Sequence, residues 1–315
     1  MSKFKIRHIT KYTYETAVRD SANQIMLYPI KDAHQEVLQH SILITGNPVV
    51  DVYLDTFGNQ VGTFTQARPH QELVIDSKLL VETFPHNMPD DSTPQELQWL
   101  ELDTLKHQLE FIDFLRQERF ETLAEVESII ASERCKNCTP FETVKDFCDY
   151  IYTHFEYKKG ITTVESTIDE VWKLRSGVCQ DFAHILLVML RLTNIPARYV
   201  SGYICPKKNG MRGEGATHAW VEAYIPFYGW LGLDPTNNSL VNEAHVRLAV
   251  GKNFSDCSPV KGTYRGTSNH KLEVTVSVAY EDGLVSDGEQ EISQPEVKVV
   301  TKNSFRRHQE MQMQQ

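Results

Sequence analysis

The chain has 315 residues, 41% of them hydrophobic and 10% aromatic, a composition typical of a globular protein. Its formal net charge of -10 leaves no basic excess to neutralise phosphates, so nucleic acid is not an expected partner. The longest unbroken apolar run, residues 185–190, is far shorter than the roughly 20 residues of a membrane-spanning helix. No membrane partner is expected either.

The N-terminus and the cysteines bear on the cellular compartment. The first residues enter a strand pattern directly, without the apolar segment and cleavage site of a secretory signal, so we expect a cytoplasmic protein. The six cysteines are too few and too unevenly spaced for a disulfide framework. We therefore expect thiols at positions 135, 138, 148, 179, 205 and 257.

The first quarter of the chain shows the period-two alternation of β-strands. Even positions from Phe4 to Tyr14 alternate with charged or polar neighbours. Similar short runs follow at 23–30, 36–45, 49–57, 60–66 and 72–83. These patterns predict an all-β N-terminal domain over residues 1–84. The proline-rich and acidic segment 85–94 predicts a linker.

Helical signals begin after this linker, and strand signals return later. Apolar residues recur at three-to-four-residue spacing over 97–115. Thr-x-x-Glu capping boxes at 139–142 and 167–170 predict a helix to about residue 157 and a short helix to residue 174. The apolar segment 179–193 predicts a buried central helix. Strand patterns follow at 197–205, 216–225, 230–233 and 271–280.

Helices packed on an antiparallel sheet make an α+β fold, which we assign to a catalytic domain of residues 95–281. Residues 282–315 are polar and predict a flexible tail.

Cys179 is the first candidate for chemistry. It begins the most apolar helix of the chain, where free backbone N–H groups and the helix dipole favour a thiolate. At such positions the pKa of a thiol can fall to roughly 3.5 to 7.5, which makes it a nucleophile near neutrality. The alternative is that Cys179 is one more small buried residue, and its partners decide between the two.

His218 and Asp234 are the candidate partners. His218 lies in a strand pattern, and Asp234 follows 16 residues later with the turn-like segment 226–229 between them. A hairpin would bring the two side chains together. A cysteine on a helix, with histidine and aspartate on neighbouring strands, lets a base accept the thiol proton while a carboxylate orients the base. Taken alone, a strand histidine is more often a surface or core residue.

Four ordered blocks of the chain read RSGVCQDFAH at 175–184, IPARYVSGY at 195–203, GATHAWVE at 215–222 and GLDPTN at 232–237. They resemble the core of the transglutaminase-like superfamily, most closely its bacterial branch. The N-terminal β region of that branch resembles residues 1–84, so the resemblance covers about residues 3–280. It implies a papain-like α+β core with Cys179, His218 and Asp234 as a catalytic triad.

The sequence also departs from this family. Thr217 stands where many members have serine, a change beside the candidate histidine that leaves its role intact. The flanking β-domains and acidic calcium loops of the animal enzymes are absent, so calcium dependence is not carried over, and no cofactor or metal is expected. Cross-linking is not assumed, because many members resemble proteases or amidases.

The resemblance implies cysteine-dependent hydrolysis or acyl transfer of peptide or isopeptide-type amides through a thioester. The expected partner is a peptide or protein substrate, and hydrolysis is favoured because nothing identifies an amine-acceptor site. Backbone N–H groups at residue 179 are the expected oxyanion donors, with Gln180 and Tyr203 as side-chain candidates. Trp220, with Trp230, either lines a cleft or packs in the core.

The alternative function is a non-catalytic binding or scaffold protein that retains the fold. The intact cysteine, histidine and aspartate argue against it. The sequence does not indicate an oligomeric state.

Three further features each have two interpretations. Cys135 and Cys138 have half the spacing of a zinc site, but no second pair follows, so a surface turn is favoured. His184 is either a core histidine or a site contact. Charged residues within apolar elements need partners if they are buried, supplied by an internal ion pair or by substrate: Arg191, Arg198 and Glu222.

Overall fold

The computed structural model of the protein describes residues 2–117, 120–133, 137–205, 212, 217–266 and 269–281, and the backbone of 291–292. The helices are α1 (Gln95–Leu105), α2 (Leu109–Leu115), α3 (Leu123–Glu133), α4 (Pro140–His154), α5 (Ile168–Leu174), α6 (Cys179–Leu192) and α7 (Phe254–Cys257). The strands are β1 (Ser2–Ile25), β2 (Gln35–Ile44), β3 (Asp51–Leu54), β4 (Gln60–Gln66), β5 (His70–Thr83), β6 (Glu156–Tyr157), β7 (Ser176–Gly177), β8 (Ala197–Ile204), β9 (Thr217–Ile225), β10 (Gly229–Asp234), β11 (Ser239–Leu240), β12 (His245–Gly251), β13 (Val260–Arg265), β14 (His270–Tyr280) and β15 (Glu291–Ile292). The chain forms two compact units, one of Thr83–Cys257 and one of Ser2–Glu82 with the chain from Ser258 onward.

Strand β1 organises the unit that is built from the two ends of the chain. Along its first half it pairs antiparallel with β14, from Phe4 opposite Tyr280 to Tyr14 opposite His270. Its second half pairs with β4 and β13. The even-numbered residues from 4 to 10 are buried and the odd-numbered residues from 3 to 7 are exposed, as the alternation predicts.

The division into units differs from the expected domains at the C-terminal side. Strands β13 and β14, which fall within the expected catalytic domain 95–281, instead pair with β1. Alternation at 271–280 predicts a strand, but it carries no information about the strand with which it pairs. Most of the predicted tail, 282–315, lies outside the described residues; Glu291–Ile292 pairs with β14.

The other unit contains, in its described part, a five-stranded antiparallel sheet of order β11, β10, β9, β8, β12. Helix α6 packs on it, and its residues from Phe182 to Leu190 are buried except His184. Full burial of each large aliphatic side chain stabilises the fold by about 1.5 to 3 kcal/mol relative to exposure, so α6 anchors this core. The predicted α+β class is confirmed.

Both predicted capping boxes begin helices, α4 and α5. In each, the threonine hydroxyl accepts the glutamate N–H, and the glutamate carboxylate accepts the threonine N–H. Helix α4 ends at His154, before the predicted residue 157, because Glu156–Tyr157 enters a parallel pair with Ser176–Gly177. None of the helices in the described ranges is both long and apolar enough to span a membrane.

One cysteine departs from the expectation of free thiols. Cys138 is disulfide-bonded, whereas Cys148, Cys179, Cys205 and Cys257 are free. A low cysteine count argues against a framework of several bridges but does not exclude a single bridge, so the expectation is wrong at Cys138. A bridged Cys138 also offers no thiolate to zinc. Cys135 lies outside the described residues.

Candidate active site

Cys179 is the first residue of α6, and its neighbours fix where that helix begins. The N–H of Val178, which has extended backbone, donates to Asp181 Oδ2 over 2.8 Å. Thr162 Oγ1 donates to the same oxygen over 2.7 Å. Gly177 leaves room for this carboxylate, because a Cβ there would lie 2.5 Å from Asp181 Oδ2. The glycine and the aspartate that flank the cysteine therefore define the helix start.

Exposure distinguishes Cys179 from the other free thiols among the described residues. Cys148, Cys205 and Cys257 are buried, whereas Cys179 is partly exposed. Burial raises the pKa of the Cys148 and Cys205 thiols well above the ordinary range, so both stay protonated. A partly exposed thiol at a helix N-terminus lies where positive partial charge favours the thiolate. The interpretation of Cys179 as one more buried small residue is not supported.

The hairpin of β9 and β10 brings His218 and Asp234 together. These strands pair antiparallel, from Gly229 opposite Ile225 to Leu233 opposite Val221. Near the open end of the hairpin, His218 Nε2 donates to Asp234 Oδ2 over 2.8 Å. Neither side chain has exposed surface. The turn-like segment 226–229 is thus the hairpin connection that the sequence suggests.

Asp234 is a buried carboxylate with several donors. Its Oδ1 accepts the N–H of Thr236 over 3.0 Å. Besides His218, its Oδ2 accepts from Asn237 Nδ2 at 2.7 Å and from His245 Nε2 at 3.4 Å. Burial alone would raise the pKa of this carboxyl, but the two histidines outweigh burial and hold it well below its usual range. Asp234 therefore faces His218 as an anion.

The same carboxylate controls the protonation of His218. Burial acts to lower the pKa of this imidazole, but Asp234 and, more weakly, Cys179 raise it to about 10. Nε2 is occupied by Asp234, and Nδ1 has no hydrogen-bond partner of ordinary geometry among the residues that the structure describes. Nδ1 is thus the nitrogen left to exchange a proton with Cys179. A protonated histidine beside a thiol favours the thiolate form.

His245, the first residue of β12, is a member of this cluster that sequence reasoning missed. Its Nδ1 accepts the N–H of Asn242 over 3.3 Å, and its ring lies edge-on to Trp220 with 5.3 Å between ring centroids. The residue lies outside the four sequence blocks. The one available signal is a histidine and an arginine that alternate with apolar residues over 244–250.

Three of these side chains could also hold a metal ion. One donor atom each from His218, Asp234 and His245 lies within 4.8 Å of the others. These atoms hydrogen-bond to one another, and each histidine Nε2 would have to lose its proton before it could bind a cation. The arrangement therefore suits proton transfer better than metal binding.

The candidates for oxyanion and cleft residues lie in different environments. Gln180 is partly exposed next to Cys179. Tyr203 and Trp220 have no exposed surface, because they lie on the inner strands β8 and β9, where both faces of the sheet are covered. Trp220 packs on Gly202, where a Cβ would lie 2.6 Å from Trp220 Cη2. Neither side chain lines a cleft surface, and Trp220 takes the core role.

The charged residues within apolar elements have internal partners. Glu222 Oε2 accepts from Arg198 Nη2 and Oε1 accepts from Arg247 Nη1, both over 2.6 Å. Arg191 donates to the carbonyl oxygens of residues 197 and 252. The ion-pair interpretation is therefore supported over substrate recognition for Arg198 and Glu222, whereas Arg191 is bound by backbone carbonyl groups.

His184 lies one turn along α6 from Cys179. Its Nε2 accepts the N–H of Phe254 over 3.2 Å, and its ring lies 5.2 Å from the ring of Tyr199. Burial lowers its pKa to about 4, so the ring is neutral at physiological pH. Of its two predicted roles, the structure supports the core histidine.

Family models match both units of the chain. The transglutaminase-like superfamily model matches residues 131–235, which include Cys179, His218 and Asp234. The bacterial transglutaminase-like N-terminal region matches residues 4–82, which cover most of β1 to β5.

Comparisons with individual proteins agree with these matches. An uncharacterised protein of Mycobacterium leprae is 31% identical over 282 residues, 88% of this chain and 99% of the relative. A protein-glutamine gamma-glutamyltransferase of Pseudomonas aeruginosa is 27% identical over 162 residues, 50% of this chain and 22% of that protein. The solved structure of a candidate cysteine protease from Cytophaga hutchinsonii shares the fold, with a TM-score of 0.71 at 21% identity over 91% of this chain and 92% of that one. The chain belongs to the transglutaminase-like superfamily, with a bacterial transglutaminase-like N-terminal region.

Proposed function

We propose that this protein is a cysteine-dependent hydrolase or acyltransferase of peptide or isopeptide-type amides, with Cys179, His218 and Asp234 as its catalytic residues. The observation that carries the proposal is the buried His218, which donates to an ionised Asp234 and whose pKa is raised further by Cys179. A thiol nucleophile, a base and an orienting carboxylate are the parts that this chemistry needs. Membership of the superfamily supports an enzyme of this class.

In the first half-reaction, the Cys179 thiolate attacks the amide carbonyl carbon and the electron pair moves onto the oxygen. The resulting oxyanion faces the free backbone N–H groups at the start of α6, each worth roughly 10²- to 10³-fold in rate. The tetrahedral intermediate then expels the amine, which takes a proton from His218 and leaves a thioester on Cys179. General acid catalysis of this kind contributes about 10²- to 10⁴-fold.

In the second half-reaction, a nucleophile releases the acyl group. His218, now neutral, accepts a proton from water, which attacks the thioester and frees the acid and the thiol. An amine in place of water would give acyl transfer. We favour hydrolysis, because no feature of the sequence identifies an amine-acceptor site. Ammonia release from a glutamine peptide without incorporation of a labelled amine supports hydrolysis, and efficient incorporation would reverse the preference.

The proposal is tested first by the rate of iodoacetamide alkylation at Cys179 from pH 5 to 9, read by peptide mass spectrometry. In the wild type we expect fast labelling well below the free-thiol pKa of about 8.5, because a protonated His218 stabilises the thiolate. The low-pH labelling is expected to disappear in His218→Ala. His184→Gln, a change of another histidine near the start of α6, should retain it and serves as the matched control.

An ordinary thiol profile in the wild type, unchanged in His218→Ala, would contradict the catalytic assignment. The binding or scaffold alternative would then become the leading hypothesis, and its working surface would have to be sought outside this cluster.

A further inference from the structure

We propose that His245 is a positioning residue for the catalytic carboxylate, because it donates to Asp234 Oδ2 and so fixes the orientation of the group that aligns His218. The inference rests on the proposed function and assigns a task within the same site. Both His218 Nε2 and His245 Nε2 donate hydrogen bonds to Oδ2, over 2.8 and 3.4 Å respectively. Two imidazoles thus share one carboxylate oxygen.

The backbone decides which nitrogen of His245 carries the proton. The N–H of Asn242 points at Nδ1 over 3.3 Å, and a backbone N–H can only donate. Nδ1 is therefore the acceptor, and a neutral His245 carries its proton on Nε2, the nitrogen that faces Asp234. His245 can donate to the carboxylate from this tautomer without becoming charged.

The ring of His245 is also held in place by its surroundings. The turn before β12 is fixed by the Asn242 side chain, whose Oδ1 accepts the N–H of Ala244 over 2.9 Å and whose Nδ2 donates to the carbonyl of Leu240 over 3.3 Å. Trp220 contacts the ring edge-on, and its own ring lies 6.2 Å from that of His218. Trp220 therefore lies next to both imidazole rings that donate to Asp234.

The hydrogen bond from His245 to Asp234 is buried, and this burial makes its loss costly. The side chains of His218, Asp234 and His245 have no exposed surface, so water cannot replace a missing donor. Hydrogen bonds to charged groups contribute more than those between neutral groups. The N–H of Thr236 donates to Oδ1, and both Asn237 Nδ2 and His245 donate to Oδ2, so each oxygen of the carboxylate has a donor besides His218. Of the two side chains on Oδ2, His245 is buried and Asn237 is partly exposed. The carboxylate plane is thereby defined before any substrate binds.

The simpler alternative is that His245 only fills space. Phenylalanine and leucine fill that space without a donor, and glutamine offers an N–H at about the position of Nε2. The variants His245→Phe, His245→Leu and His245→Gln therefore separate packing from hydrogen bonding. Two of these variants lack a donor, so the test can still be made if one of them does not fold.

The experiment follows His218 in the full chain labelled with 15N-histidine, by NMR titration of its ring, together with the alkylation rate of Cys179. In the variants without a donor we expect the protonation midpoint of His218 to fall by about one pH unit, a tenfold change in the equilibrium. We expect the alkaline change in the alkylation rate of Cys179 to move to lower pH by about the same amount, because the thiolate then loses its charged partner at a lower pH. His245→Gln should recover most of both quantities. Cys148 and Tyr157 also lie near Asp234, but burial raises the pKa of each above this pH range.

A wild-type midpoint in folded His245→Phe or His245→Leu would overturn the positioning role. Equal losses in those variants and in His245→Gln would overturn the hydrogen bond as its basis. The NMR titration reads the contact between His218 and Asp234 directly, whether or not Cys179 is reactive. An ordinary thiol profile of the wild type would therefore contradict the proposed function alone.

Discussion

Two buried carboxylates on neighbouring strands, Glu222 on β9 and Asp234 on β10, differ in the chemistry of their partners. Glu222 faces Arg198 and Arg247, and burial lowers the pKa of Arg247 only to about 10, so Arg247 keeps its charge near neutrality. Asp234 faces histidines, whose imidazole rings can both donate and accept a proton. The first group is a fixed internal ion pair, whereas the second can pass a proton while its side chains stay in place.

His184 should make stability depend on pH on the acid side. Its pKa is about 4 in the folded chain and 6.5 in the unfolded chain, so the unfolded state takes up the proton first as pH falls. The free energy of unfolding is expected to fall by about 1 to 3 kcal/mol more between pH 7.5 and 4.5 in the wild type than in His184→Gln. Urea unfolding at both pH values measures this difference. An identical pH dependence in the two proteins would refute it.

The residues of the site differ in how far the sequence reveals them. Cys179, His218 and Asp234 could be selected because a helix start, a strand alternation and a hairpin turn are local patterns. His245 could not, because β12 does not pair with β10 and the interval of 11 residues to Asp234 has no recognisable pattern. The structure alone places it on the carboxylate.

The starts of the helices also differ in how far local sequence patterns reveal them. Helices α4 and α5 begin at capping boxes made of residues three apart, and both starts were therefore predictable. The start of α3 is fixed across the fold, because Asp169 accepts the N–H groups of Glu121 and Thr122 from a position 47 residues beyond Thr122. No local pattern encodes such a contact, and the sequence did not define the bounds of α3.

The start of α6 can be tested by removing its acceptor. Asp181→Ala leaves the N–H of Val178 and the hydroxyl of Thr162 without their shared partner, a loss that typically costs about 0.5 to 2 kcal/mol. Thr139→Ala, at the N-cap of α4, is the matched control with a similar cost. We expect urea unfolding to show comparable destabilisation, whereas the alkylation rate of Cys179 should fall severalfold only in Asp181→Ala. Equal alkylation rates in the two variants would contradict this role for Asp181.

At the scale of the whole molecule, one unit is an insertion within the other. The unit of Thr83–Cys257 interrupts the unit that begins with β1 and is completed by β13 and β14. Sequence patterns identified the strand at 271–280, but its assignment to the N-terminal sheet depends on a pairing between residues more than 250 positions apart. Such a pairing is invisible to local periodicity.

Truncation should separate the two units. A chain that ends at Cys257 lacks β14, so Phe4 to Tyr14 of β1 lose their antiparallel partner. We expect the amides of this segment to exchange with solvent at rates close to those of an unfolded chain, because the ladder that protects them is missing. Amides of α6 should stay protected, since that helix belongs to the other unit. Hydrogen exchange read by mass spectrometry, with the intact chain alongside, measures both; unchanged protection of β1 would rule the expectation out.

The interrupted unit has a consequence for biosynthesis. A ribosome releases β1 first and β14 only after the entire intervening unit, a delay on the order of ten to fifty seconds at about 5 to 20 residues per second. During that interval β1 is a nascent strand without its principal partner, while the unit that carries Cys179 has already emerged in full. The thiol-bearing unit can therefore fold first, and the sheet that contains β1 and β14 is completed last.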